Sequence, residues 1–138
     1  MTDRLKSICS IILDKHPKTS NIVLQKLLYL IQAASLIYLK KEAFADSIYA
    51  WEYGPVIPGI YNEFKSEDTV HLESDLVDII NIIVDNLISM NAFDLVDMVL
   101  SYKSWRNAWN RRPGSLISTY DIIKCHKEIS IQKDGFIF

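Results

Sequence analysis

The sequence predicts a mainly α fold of the α+β kind: a compact single-domain helical bundle around one long buried helix, with a minor two- or three-stranded β element. Three observations lead there. Residues 22–39 are apolar at nearly every position, too evenly for a helix with one solvated face. Much of the rest repeats its apolar residues at three-to-four spacing, the period of a helix packed on one side. Only residues 47–53 show a clear alternation with period two.

The size of the chain sets the domain count. At 138 residues it is long enough for one real core and short for two, so residues 1–138 are expected to form a single domain. Apolar residues make up 49% and charged residues 23%, which excludes a disordered composition. The net charge of −2 does not suit a general polyanion binder. Cys9 and Cys125 are too few for a disulfide framework and have no partner at metal spacing. No apolar core with a cleavage site follows the opening charges, so a cytoplasmic protein is expected. The apolar run 22–39 contains Gln25, Lys26, Gln32 and Ser35. Those groups are costly in a span of minimal length, which favours a buried core helix over a membrane crossing.

In chain order, residues 3–16 read as a first helix, with Leu5, Ile8, Cys9 and Ile11 or Ile12 on one face, and Pro17 ends it. Thr19, Ser20 and Asn21 offer N-caps for the central helix, expected over about 20–40 and closed by Lys40 and Lys41. Residues 47–53 read as a short strand, placing Ile48, Ala50 and Glu52 opposite Tyr49, Trp51 and Tyr53. Gly54-Pro55 marks a sharp break, and residues 58–64 read as a short helix opened by Pro58. Further helices are expected over 73–90, 94–102 and from 103 until the Pro113-Gly114 pair. Ser118, with Asp121 three residues on, predicts the cap of a last helix over about 119–127. The tail 129–138 carries a hairpin-like Lys133-Asp134-Gly135 signal and is a candidate strand to pair with 47–53.

Catalytic readings find little support. His16, His71 and His126 are far apart and fit no metal or nucleophile pattern. Asp78 and Asp85, seven apart on one helix, read as members of a solvated stripe rather than an acid–base pair. No glycine-rich phosphate loop is present. No catalysis, metal or cofactor is expected. Charge is nonetheless segregated: residues 67–97 hold eight acids and no Lys or Arg, and residues 103–112 hold four bases and no acid. Trp105, Arg106, Trp109, Arg111 and Arg112 in that second segment are a candidate contact surface, since Trp and Arg dominate interface energetics. They also suit nucleic acid, or the tryptophans are simply the buried face of a helix.

One stretch organises the chain. Residues 50–61 place Trp51, Tyr53 and Tyr61 among two prolines and two glycines. Together with Lys26-Leu27-Leu28-Tyr29 upstream, the run Ala50-Trp51, Gly54-Pro55-Val56, Pro58 and Tyr61 resembles the SocA-like family, also called the Panacea antitoxin domain, a group of phage-associated proteins. The pattern is good over about residues 5–65 and looser beyond. The family leads one to expect a His and a Pro-Trp pair near 102–105, where this chain has Tyr102-Lys103-Ser104-Trp105.

The resemblance implies an antitoxin that binds a cognate protein toxin directly. A proteolytic adaptor for a toxin and a DNA-binding transcriptional regulator are its alternatives, and self-association stays open. The net charge and the lack of a basic recognition helix argue against nucleic acid. The candidate partner-binding residues are Tyr29, Gln32, Trp51, Tyr53, Tyr61, Trp105, Arg106, Trp109, Arg111 and Arg112. The hallmark Lys26, Leu27, Leu28, Tyr29, Ala50, Trp51, Gly54, Pro55, Val56, Pro58 and Tyr61 is equally consistent with a role confined to fixing the fold.

Overall fold

Helix α2 (Asn21–Ala34) is buried at every position from Leu24 onward, and the rest of the computed structural model is arranged around it. The structure describes residues 1–60 and 70–138. Among these, α1 (Asp3–Lys15) precedes α2, and α3 (Ser74–Leu87), α4 (Ala92–Leu100), α5 (Lys103–Arg111) and α6 (Thr119–Gln132) follow it. Strands β1 (Ile48–Trp51), β2 (Gly54–Val56) and β3 (Leu116–Ile117) form an antiparallel sheet in the order β2-β1-β3. The fold is mainly α with a small sheet, as the sequence predicts.

The central helix packs directly against α3, α4, α6 and β2, which explains its lack of a solvated stripe. With the π-helical turn that follows, it makes an apolar helix over Asn21–Leu39 that is long enough to cross a bilayer, yet most of its residues lie inside the core. The π-helical turn covers Ser35–Leu39, and Lys40 closes it at φ 59 in the left-handed region. Side-chain caps set the starts of several helices. Thr2 accepts from the Leu5 amide, Ser20 from Val23, Asn91 from Phe93 and Ser118 from Asp121.

The sequence reading of the corner needs correction. Residues 47–53 are not one strand followed by a break: Glu52 and Tyr53 form a two-residue turn, and Gly54-Pro55 begins a second strand. Gly54 leaves the turn at φ 115, open to glycine and rarely to other residues. Pro55 lies opposite Ala50, whose own N–H and C=O bond Ser115 and Gly114 on the other side. The missing proline N–H therefore removes no ladder bond. Pro58 and Gly59 form a further turn, and the helix expected over 58–64 falls mostly on residues 61–69, outside the described residues.

The tail is also different from the expectation. No strand forms over 129–138; α6 runs on to Gln132, and the third strand comes from Leu116-Ile117. Lys133-Asp134-Gly135 ends that helix, with Asp134 at φ 52, Gly135 at φ 95 and the Gly135 amide bonded to the Ser130 carbonyl. Residues able to adopt positive φ serve a hairpin and a helix C-cap equally well, so the local signal was ambiguous. Ile137 is then fully buried, anchoring the tail.

Candidate functional site

Three polar side chains interrupt the apolar face of α2, and each holds a loop by its backbone. The Gln25 amide grips Ile57 from both sides, Nε2 donating to its carbonyl at 3.1 Å and Oε1 accepting from its amide at 2.8 Å. Seven residues on, Gln32 does the same for the 43–44 segment, donating to Phe44 O at 2.8 Å and accepting from Ala43 N at 2.7 Å. Lys26 runs beneath the hairpin and donates to Pro55 O at 3.2 Å. A Cβ on Gly54 would stand 2.9 Å from Lys26 Cε, so the glycine is needed for this close approach as well as for its φ. Burial pushes the Lys26 pKa down from 10.5 to about 8.

Tyr29, one turn after Lys26, enters a polar cluster sealed in the core. Its hydroxyl contacts both Ser104 Oγ and His126 Nε2, the latter at 2.8 Å, and His126 Nδ1 faces the Ile137 carbonyl. The Tyr102 ring packs edge-on to His126 at 4.7 Å, and its buried hydroxyl has no hydrogen-bond partner among the described residues. Burial lowers the His126 pKa from 6.5 to about 4 and raises that of Tyr29, which favours the neutral form of each ring. Ser104 Oγ meets Tyr29 rather than the imidazole, and all three side chains are out of reach of solvent. The cluster ties α2, α5, α6 and the tail together. Where the family pattern leads one to expect a histidine near 102–105, the histidine of this network comes from α6.

The other half of the corner faces outward. Alternation along β1 buries Ile48 and Ala50 and turns Tyr49 and Trp51 to the opposite face. Trp51 pairs with Gly54, which has no side chain to cover it, and it is 48% exposed; Tyr53 at the turn is 60% exposed. Leu116 on β3 pairs with Tyr49 and is 47% exposed, and half-buried Val56 continues the same face on β2. The sheet thus presents an apolar, aromatic surface.

Helix α5 borders this surface. Trp105 is buried, donates its indole N–H to the Trp51 carbonyl at 2.9 Å, and stacks on half-buried Trp109 at 5.5 Å. Arg106, Arg111 and Arg112 are exposed, and Arg111 reaches the Leu116 carbonyl at 3.2 Å.

The residues singled out in sequence therefore separate into two groups. Tyr29, Gln32 and Trp105 are interior; Trp51, Tyr53, Arg106, Arg111 and Arg112 are surface, with Trp109 between; Tyr61 lies outside the described residues. Gln25, Ser104 and His126 were missed as part of the buried framework, and Leu116 as part of the outer face, whereas the alternation had already put Tyr49 on the side of Trp51. Gln25 was visible as a polar break in an apolar helix. The others carry no local signal, because their roles depend on contacts across 75 or 97 residues or on a two-residue strand.

The model of the antitoxin SocA-like, Panacea domain family matches residues 24–106. The chain belongs to that family. The matched span takes in α2, the β1–β2 hairpin, α3, α4 and α5 as far as Arg106. In this Panacea protein the third strand, Arg111, Arg112 and His126 lie beyond the match, so the basic rim and the histidine of the buried network are features of this chain outside it. Searches among curated proteins and among solved structures return no match.

Proposed function

We propose that this Panacea-family chain, residues 1–138 acting as one domain, is a cytoplasmic, non-catalytic antitoxin that neutralises a protein toxin by binding it directly. The contact surface is the outer face of the sheet, with Trp51, Tyr53 and Leu116 at its centre and Arg111 and Arg112 along its border; Arg106 lies on the side of α5 that faces α6 and the tail. The observation that carries this reading is the exposure of Trp51 and Tyr53 on a hairpin held from below by Lys26 and Gln25. Rigid aromatic side chains bordered by arginines are the composition of interface hot spots, and a fixed backbone lowers the ordering cost of binding. Buried members of the hallmark then serve as the framework, and its exposed members as the contact.

Where a neighbouring gene encodes a small toxic protein, co-expression with it tests the reading. Rescue of growth together with a stable complex in pull-down is expected. Rescue without any complex contradicts direct binding. Charge reversal in Arg111→Glu/Arg112→Glu is expected to weaken the complex by about tenfold, mainly through slower association at low salt; an unchanged complex removes the basic rim from the surface.

A further inference from the structure

A second surface lies on the other elements of the molecule and has the opposite character. Between α3, the π-helical turn and the tail runs an open groove of about 330 Å³, lined by Tyr38, Ile79, Ile82, Asn86, Phe136 and Phe138. Its walls are almost wholly apolar, and several are uncovered: Ile82 is 55% exposed and Phe136 60%. The tail side of the groove is fixed in place. Ile137 is buried between the two phenylalanines, Phe136 and Phe138 meet edge to face at 6.3 Å, and Tyr38 Oη donates to the Gly135 carbonyl. None of these residues belongs to the sheet face.

The α3 side of the groove carries two acids that its neighbouring cations leave unpaired: Lys41 pairs with Asp75 at 3.9 Å and Lys15 donates to Asn81 at 2.6 Å. Asp78 precedes Ile82 by four residues and Asp85 follows it by three, which places both carboxylates on the helix surface next to the exposed isoleucine. Both are exposed, and neither makes an ion pair among the described residues. No Lys or Arg occurs in α3 itself, and the two lysines that reach it, Lys41 and Lys15, bond Asp75 and Asn81 instead. On the tail side, Lys133 donates to the Phe138 main-chain oxygen at 3.3 Å.

We propose that this groove docks a basic amphipathic helix of a protein partner, separately from the sheet face. Apolar residues of that helix, spaced three and four apart, enter between Ile82 and Phe136, and its Lys or Arg side chains pair with Asp78 and Asp85. The distance from Ile79 to Asn86 is two helical turns, about 10 Å, enough for two successive anchors of a docked helix. Unpaired carboxylates flanking a fixed apolar trough favour a cationic partner over an acidic one, and exposed apolar surface of this kind marks an interaction site.

The test uses the whole chain and two fluorescein-labelled 16-residue peptides of identical Leu/Lys composition. One places its leucines at i, i+3, i+4 and i+7; the other distributes them around the helix. Fluorescence anisotropy is expected to show the amphipathic peptide binding at least tenfold more tightly. Ile82→Lys, at an exposed position, is expected to keep the thermal midpoint and abolish that preference, and Asp78→Lys/Asp85→Lys to weaken binding at least tenfold. Amide chemical shifts are expected to move at 79–86 and 136–138. Equal binding of the two peptides, indifference to Ile82→Lys, or shifts centred on Trp51 and Tyr53 overturn the proposal. So does a wild-type dimer that Ile82→Lys dissociates, since the groove would then hold a second copy of the chain.

Discussion

Replacing Lys26 with methionine keeps the length and much of the volume of the side chain but removes its charge. In the folded protein the ammonium is enclosed beneath Gly54 and bonded to the Pro55 carbonyl, and burial lowers its pKa from 10.5 to about 8. Those two values stand about 2.5 apart, which at 1.36 kcal/mol per pH unit is a cost of about 3 kcal/mol for keeping the group charged at neutral pH. Methionine removes that cost and leaves Pro55 O unpaired, a loss of about 1–3 kcal/mol. At pH 7 the two effects nearly cancel, and the variant should equal or modestly exceed the wild type in stability.

The pH dependence is the sharper readout. Between pH 8 and 10.5 the unfolded chain holds the Lys26 proton and the folded chain releases it, so stability rises with pH through that window. From pH 7 to 9.5 the wild type should gain about 2 kcal/mol relative to Lys26→Met. Urea unfolding followed by circular dichroism at pH 7, 8.5 and 9.5 measures this. The difference between the two proteins removes the opposing contributions of Cys9, Tyr29 and Tyr102, whose burial favours their protonated forms. A stability difference that stays constant with pH would refute the assignment of Lys26 as a buried, strained cation.

Gly54→Ala forces an L side chain to φ 115 and a Cβ to within 2.9 Å of Lys26 Cε; a loss of about 1–3 kcal/mol is expected in thermal or urea unfolding, and a change below 0.5 kcal/mol, within the ordinary surface range, contradicts the geometry. His126 has its folded pKa lowered to about 4 from 6.5, so its contribution to stability is intact above pH 6.5 and is lost as pH falls towards 4. Between pH 7 and 4.5 the wild type should lose about 2.4 kcal/mol more than His126→Gln, measured by urea unfolding at pH 7, 5.5 and 4.5; parallel curves contradict a buried neutral imidazole.

Much of the fold was legible because its signals are local. The even apolarity of 22–39, the Ser118 cap and the alternation of Ile48 to Trp51 each depend on residues close in sequence. The strand Leu116-Ile117 is too short to show a period, and its pairing is fixed by Ala50 bonding Ser115 and Gly114. The use of Lys133-Asp134-Gly135 as a helix end rather than a hairpin was decided by the burial of Ile137. For the site, the sequence pattern found the right stretch and could not divide it. Tyr29 and Trp51 have the same standing in the family pattern, yet one is sealed beside His126 and the other half exposed. Only tertiary contacts separate them: Gly54 opposite Trp51 leaves that ring uncovered, and α5 and α6 close over Tyr29.

The claim that the buried hallmark builds the corner and its exposed aromatics make the contact is tested most directly by Trp51→Ala/Tyr53→Ala. The affinity of this variant for the cognate toxin should be measured together with its thermal midpoint. Trp51 is nearly half exposed and Tyr53 more than half, and the bond from Trp105 goes to the Trp51 main chain, so the fold should survive with its midpoint shifted by no more than a few degrees. Toxin affinity should fall by at least about thirtyfold, equivalent to about 2 kcal/mol, and growth rescue should be lost with it. A folded variant that binds and neutralises the toxin as the wild type does contradicts the account.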